Sequence, residues 1–178
     1  MRLEIFYQNS GLKKDTSKGM ERVISALNSV LGKNLQKNPH FAGVKEVSLT
    51  MTLCGKTKIR NLNRQYRQKD YVTDVLSFPV YENLRPDKKP KEKNLTQMDL
   101  GDLVICKEKA FSQAKEFEIT YEQEIVHLAV HGFLHLIGFD HEVSSKEEKL
   151  MEAHENELVG QVYKILKKRQ INERTNQN

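Results

Sequence analysis

Four of the six histidines fall within fifteen residues, at His127, His131, His135 and His141. On a helix, the i, i+4 spacing of His131 and His135 stacks two imidazoles on one face, where both reach one ion at about 2.0–2.1 Å. A third ligand must return to the same side, so the helix has to stop. Gly138 supplies the stop, because glycine tolerates the left-handed conformation that turns a chain back. His141 follows three residues later. The reading is one Zn2+ per chain, held by His131, His135 and His141. Three protein ligands leave a fourth position for water, as in a catalytic zinc, and such a water ionises near neutral pH. A bare i, i+4 pair would favour helix packing or solvent contact; the glycine break and third histidine favour the metal.

His127 lies one turn before His131, but a straight helix drifts about 40° per four residues, so His127 and His135 diverge by about 80°. His127 is therefore expected to orient a ligand or make a polar core contact, not to bind the ion. Glu124 shares nearly the same face and offers a supporting carboxylate, although capping the helix start is its favoured role. Asp140 either orients a ligand or shapes the turn. His40 and His154 are expected at the surface. Zincin proteases of the H-E-x-x-H kind carry their Glu base directly after the first ligand. Here that position is Gly132. The standard protease assignment fails, and the glycine is expected to let a substrate approach the metal.

The charge distribution says what kind of substrate. The net charge is +5, but residues 54–69 hold six Lys/Arg and no acid. Residues 83–97 carry a local +3 and residues 164–178 a local +4, which leaves −8 on the rest of the 178-residue chain. An acidic body with basic patches suits a polyanion partner, while solvated charged faces are the plain alternative. Lys56, Arg60, Arg64 and Arg67 form one helical stripe that can track phosphates. Arg67 can grip a phosphate with two parallel N–H donors. An ion pair with Asp70 or Asp74 is an equally good reading of Arg67 from the residues alone. Tyr66 can stack on a base, but its helical spacing with Ile59 and Leu62 favours the core.

The length suits one domain. It is expected over residues 1–168, with a polar, basic and disordered tail at 169–178. Glu4 and Gln8 interrupt any apolar leader, and no stretch approaches the roughly 18 apolar residues of a membrane span. With Cys54 and Cys106 as the two cysteines, a reduced, cytoplasmic setting is expected.

Alternation predicts strands over 2–7, 44–53, 73–80 and 100–106. Helical spacing predicts a helix from Met20 to Leu31, capped within Asp15–Ser17. Further helices are expected over 56–67, 110–117, 120–138 and 145–168. Thr120 caps the fourth of these, with Glu122 and Glu124 in its first turn. Residues 83–97, with Pro86 and Pro90, read as a mobile loop. The fold class is α+β, a small mixed sheet packed with helices and a metal site at the end of a central helix.

The segment HGFLHLIGFDH, residues 131–141, is similar to the metal motif H-G-x-L-H-L-x-G-[YF]-D-H of the YbeY family of bacterial rRNA-maturation endoribonucleases. Two further blocks match in order: Leu62-Asn63 through Tyr66-Arg67 to Thr73–Pro79, and Leu100-Gly101-Asp102. The resemblance covers roughly residues 1–160. It implies a zinc-dependent, single-strand-specific endoribonuclease in 16S rRNA 3′-end maturation and ribosome quality control. It also implies His131, His135 and His141 as ligands, Arg67 as the functional arginine and a metalloprotease-like topology. Its partners would be rRNA in ribosomal particles, with ribosomal proteins or assembly GTPases. Val72 departs from the family's usual proline before Thr-Asp. Two other functions stay open: a ribosome-assembly factor with a mainly structural zinc, and a zinc peptidase or amidase.

Overall fold

The computed structural model describes residues 1–10, 18–90 and 95–175. The caps expected at Asp15–Ser17 lie outside the described residues. Four strands, β1 (Arg2–Asn9), β2 (Glu46–Cys54), β3 (Val75–Pro79) and β4 (Gln97–Cys106), form one sheet in the order β1-β2-β4-β3. β1 and β4 each run parallel to β2, while β3 pairs antiparallel with β4 and forms an edge. The helices are α1 (Lys18–Gln36), α2 (Lys56–Arg67), α3 (Lys107–Glu116), α4 (Tyr121–Leu136) and α5 (Ser145–Thr175). The α+β class with a small mixed sheet is what is observed. Within it, β1, α1 and β2 form one βαβ unit.

Period two divides the sheet's residues between two faces. Leu3, Ile5, Val47, Leu49, Met51, Leu53, Leu103 and Ile105 join the main core, together with α1 and α4. Cys54, Leu76, Val104 and Cys106 point the other way, onto Ile59 of α2. α1 is amphipathic, burying Val23, Leu27, Val30, Leu31 and Leu35. α4 differs, since nearly every position from Glu124 to Leu136 is buried except its histidines. A helix apolar all round belongs inside. α4 lies between the sheet and α5, so it is the central helix that the spacing of its histidines requires. Each fully buried Leu, Ile or Phe stabilises this arrangement by about 1.5–3 kcal/mol.

Several expected boundaries move. β4 begins at Gln97 rather than Leu100, with Met98 and Leu100 inside and Gln97 and Asp99 outside. α5, expected to end near Lys168, continues to Thr175, so residues 169–175 of the expected disordered tail are helical; 176–178 lie outside the described residues. Residues 84–88 of the expected mobile loop are fastened. Asn38 Nδ2 donates to the Leu84 carbonyl at 2.8 Å, and buried Arg85 pairs with Asp87 and Glu147 over the Phe139 ring. Residues 91–94 of that loop lie outside the described residues. His154, expected at the surface, is half-buried against Phe139, and His40 meets the Lys88 carbonyl at 3.1 Å.

The edge strand β3 is held against β4 where Gly101 takes φ +112°, and a Cβ there would stand 2.0 Å from the Phe78 carbonyl oxygen. Gly101→Ala is therefore expected to lower the unfolding free energy by about 2–3 kcal/mol. A urea titration that leaves the midpoint unchanged would contradict this reading of the β3–β4 contact.

Candidate metal centre and cleft

α4 starts on a capping box: Thr120 Oγ1 accepts from the Gln123 N–H at 3.2 Å, and the Gln123 side chain accepts from the Thr120 N–H at 2.8 Å. The start is thus capped by Thr120 and Gln123, not by Glu124. The helix ends in a Schellman motif. The Gly138 N–H donates to the His135 carbonyl and the Phe139 N–H to the Leu134 carbonyl, both at 3.0 Å, with Gly138 at φ +96°. Asp140 then accepts from the Glu142 N–H at 2.9 Å, closing a tight turn around His141. Of its two expected roles, Asp140 performs the turn-shaping one.

This geometry brings His131, His135 and His141 together. One ring nitrogen from each lies within 4.8 Å of the others, and the ring centroids are 4.8–5.2 Å apart. His131 Nε2 and His135 Nε2 are 3.2 Å apart. Two ligands at zinc-like bond lengths on a tetrahedron stand about 3.4 Å apart, so the pair is already at coordination spacing. Burial first, and then His131 and His141, press the His135 pKa down to about 4. A neutral imidazole is the form that binds a metal. The donor set therefore fits a divalent transition metal with three protein nitrogens.

Behind the three histidines is a residue the motif does not contain. Glu155 on α5 places Oε1 3.0 Å from His127 Nε2 and 3.4 Å from His131 Nδ1. A carboxylate at Nδ1 fixes the ring and leaves Nε2 for the ion. Burial works to raise the Glu155 pKa, but His127 and then His131 draw it down to about 2. His127 does not join the trio. Its Nδ1 lies 3.7 Å from fully buried Glu124, and Glu124 and then Glu155 raise its pKa to about 10. The sequence did carry a signal for Glu155: Met151, Leu158 and Val162 form the buried stripe of α5, and an acid stands on it.

Gly132 is buried, and a Cβ there would lie 2.7 Å from Leu103 Cδ2 and 3.2 Å from Ser77 Oγ. Its small size lets α4 sit on the sheet; it does not open a path to the metal, as had been expected.

The three histidines line a cleft of about 640 Å³ whose other walls are the end of α2, residues 69–77 and residues 79–83. Arg67 lines it too. Neither expected ion pair of Arg67 forms. Asp70 is held two-pronged by Arg60 at 2.8 and 3.0 Å, and Asp74 accepts from Gln113, Thr73 and the Val75 N–H. Among the described residues Arg67 has no ion-pair partner. Lys56, Arg60 and Arg64 do not line the cleft. They share a stripe with Arg67, but the stripe runs about 16 Å along the helix and only its last turn reaches the histidines. Tyr66, expected in the core, is 61% exposed, with its ring set edge-to-face against Phe78 at 5.2 Å.

The family model for Endoribonuclease YbeY matches residues 8–163. An Endoribonuclease YbeY of Persephonella marina is 36% identical over 146 residues, covering 82% of this chain and 80% of its own. One from Caldicellulosiruptor bescii is 34% identical over 163 residues, covering 88% and 96%. The solution structure of TM1509 from Thermotoga maritima superposes with a TM-score of 0.59 at 27% identity, covering 93% of each chain.

His135→Ala is expected to leave the dialysed protein with almost no bound metal. Glu155→Gln is expected to retain the site at about 10- to 100-fold weaker affinity. Competition with a chromogenic chelator measures both, and unaltered affinity in the Gln variant would remove Glu155 from the site.

Proposed function

The chain belongs to the YbeY endoribonuclease family, and from that premise we propose that it cleaves single-stranded RNA with zinc held by His131, His135 and His141. The substrate we infer is the 3′ end of 16S rRNA in ribosomal particles, in maturation and ribosome quality control within the cytoplasm. Ribosomal proteins or assembly GTPases would be the accompanying partners. In keeping with this, no helix among the described residues is long and apolar enough to cross a membrane.

The observation that carries the reading is that Arg67, with no ion-pair partner among the described residues, shares one cleft with the three histidines. Three imidazole nitrogens suit zinc, and when bound it supplies the Lewis acidity that phosphodiester cleavage uses. The chain's own groups do the rest. Glu155 keeps His131 in the ligating orientation. The guanidinium of Arg67 meets a non-bridging phosphate oxygen with paired N–H donors and stabilises the charge that grows there. It sits ready because Arg60, not Arg67, neutralises Asp70. Lys56 and Arg64 lead up to the cleft along α2 and add long-range attraction for a polyanion. A peptidase reading loses ground, since Gly132 stands where the zincin base would be and is packed into the sheet.

Arg67→Ala is expected to lower the cleavage rate of a single-stranded rRNA precursor by about 10²–10³-fold with zinc content unchanged. Stripping the metal with EDTA should abolish cleavage, and stoichiometric zinc should restore it. Equal cleavage by stripped and restored protein would end the metal role. Full cleavage by the Arg67 variant would remove Arg67 from the chemistry, whereas stable binding to ribosomal particles without cleavage by the wild type would favour an assembly factor whose zinc is structural.

A further inference from the structure

Residues 68–74, which join α2 to β3, are held from both ends by buried or paired side chains. Gln68 adopts the left-handed conformation and its N–H donates to the Asn63 carbonyl, which also receives the Lys69 N–H at 3.3 Å. Asn63, 1% exposed, sends its Nδ2 to the Tyr71 carbonyl at 3.0 Å. Asp70 is clamped by Arg60, and Asp74 by Gln113. None of these bonds uses the side chain of Lys69 or Tyr71. Both residues line the cleft, and among the described residues neither side chain has a hydrogen bond or ion pair. Tyr71 is 54% exposed.

A rigid segment that presents a guanidinium, an ammonium and an open aromatic ring at alternate positions matches the repeating chemistry of a single strand: phosphate, phosphate, base. The charges of the cleft also give the strand a side. Its cations are Arg67, at the end of α2, and Lys69 in this segment, whereas the exposed acids Glu82, Asp140 and Glu142 come from the turns after β3 and α4. Half-buried Asp74 is taken up by Thr73, Gln113 and the Val75 N–H. Phosphates are repelled from those turns and drawn to residues 67–71. Resting on the endoribonuclease reading, we propose that Arg67, Lys69 and Tyr71 form a nucleotide subsite for single-stranded RNA. Lys69 takes a phosphate next to the one at Arg67, and Tyr71 stacks on an unpaired base. Tyr66, the aromatic that α2 itself offers, does not line the cleft. The ring belongs to the segment that follows.

The test is steady-state cleavage of a short single-stranded RNA by the zinc-loaded full chain and its variants, with melting temperature and zinc content measured on each. Tyr71→Ala should raise KM roughly tenfold or more with kcat little changed, and Tyr71→Phe and Tyr71→Trp should restore it. On substrates with single abasic nucleotides, one position should bring the wild type down to Tyr71→Ala and cost that variant nothing further. Lys69→Ala should flatten the slope of log kcat/KM against log salt by about 0.7. Unchanged KM in Tyr71→Ala, or failure of Phe and Trp to rescue it, overturns the subsite. A wild type that cuts no single-stranded RNA overturns the endoribonuclease reading itself, so the two failures are distinct.

Discussion

Three imidazoles can share one ion only if the chain reverses directly after the second, and here that reversal rests on two backbone hydrogen bonds. The bonds from Gly138 to His135 and from Phe139 to Leu134 need a left-handed residue between helix and turn, and glycine adopts that conformation without a Cβ penalty. Phe139, buried beneath Arg85, pins the outgoing chain, and Asp140 tightens the next turn so that His141 faces back. The rest of the molecule serves this corner. The sheet and α1 bury α4 on most sides, which gives the two helical histidines a fixed platform.

A second constraint is electrostatic. Glu124 and Glu155 are carboxylates taken largely out of water, and buried charges persist only where they are compensated. His127 sits between them and holds its proton far above the ordinary histidine range, while His135, one face away, is held neutral. Imidazoles two helical turns apart thus do opposite work. One is a cation that neutralises the acids behind the site; the other is a lone-pair donor in front.

Much of this was legible beforehand because it depends on local pattern. The alternation of Val47, Leu49, Met51 and Leu53 marks β2, and the stripe from Met20 to Leu31 marks α1. The motif of α4 carries its own stop signal. Less was legible at β4, whose first residues alternate correctly but follow a charged loop, and at Glu124, where an acid in a first turn looks like a cap. Arg60 and Arg67 were indistinguishable by type and spacing. What separates them is that Asp70 folds back onto one and leaves the other facing the cleft.

The sequence by itself determined the chemistry that is contiguous: three nitrogens on one helix and its turn, the glycine that joins them, and a basic helix for a polyanion. Spacing along a helix and backbone preference at glycine act over a few residues, so they can be read without a fold. Only the tertiary structure decided which arginine faces the site, that Gly132 is packing space, and that Glu155 lies behind His131. It also decided that Lys69 and Tyr71 share a wall with the histidines. Those assignments depend on contacts between residues ten to fifty-five positions apart, set when α2, β3 and α5 close around α4, and no local periodicity encodes them.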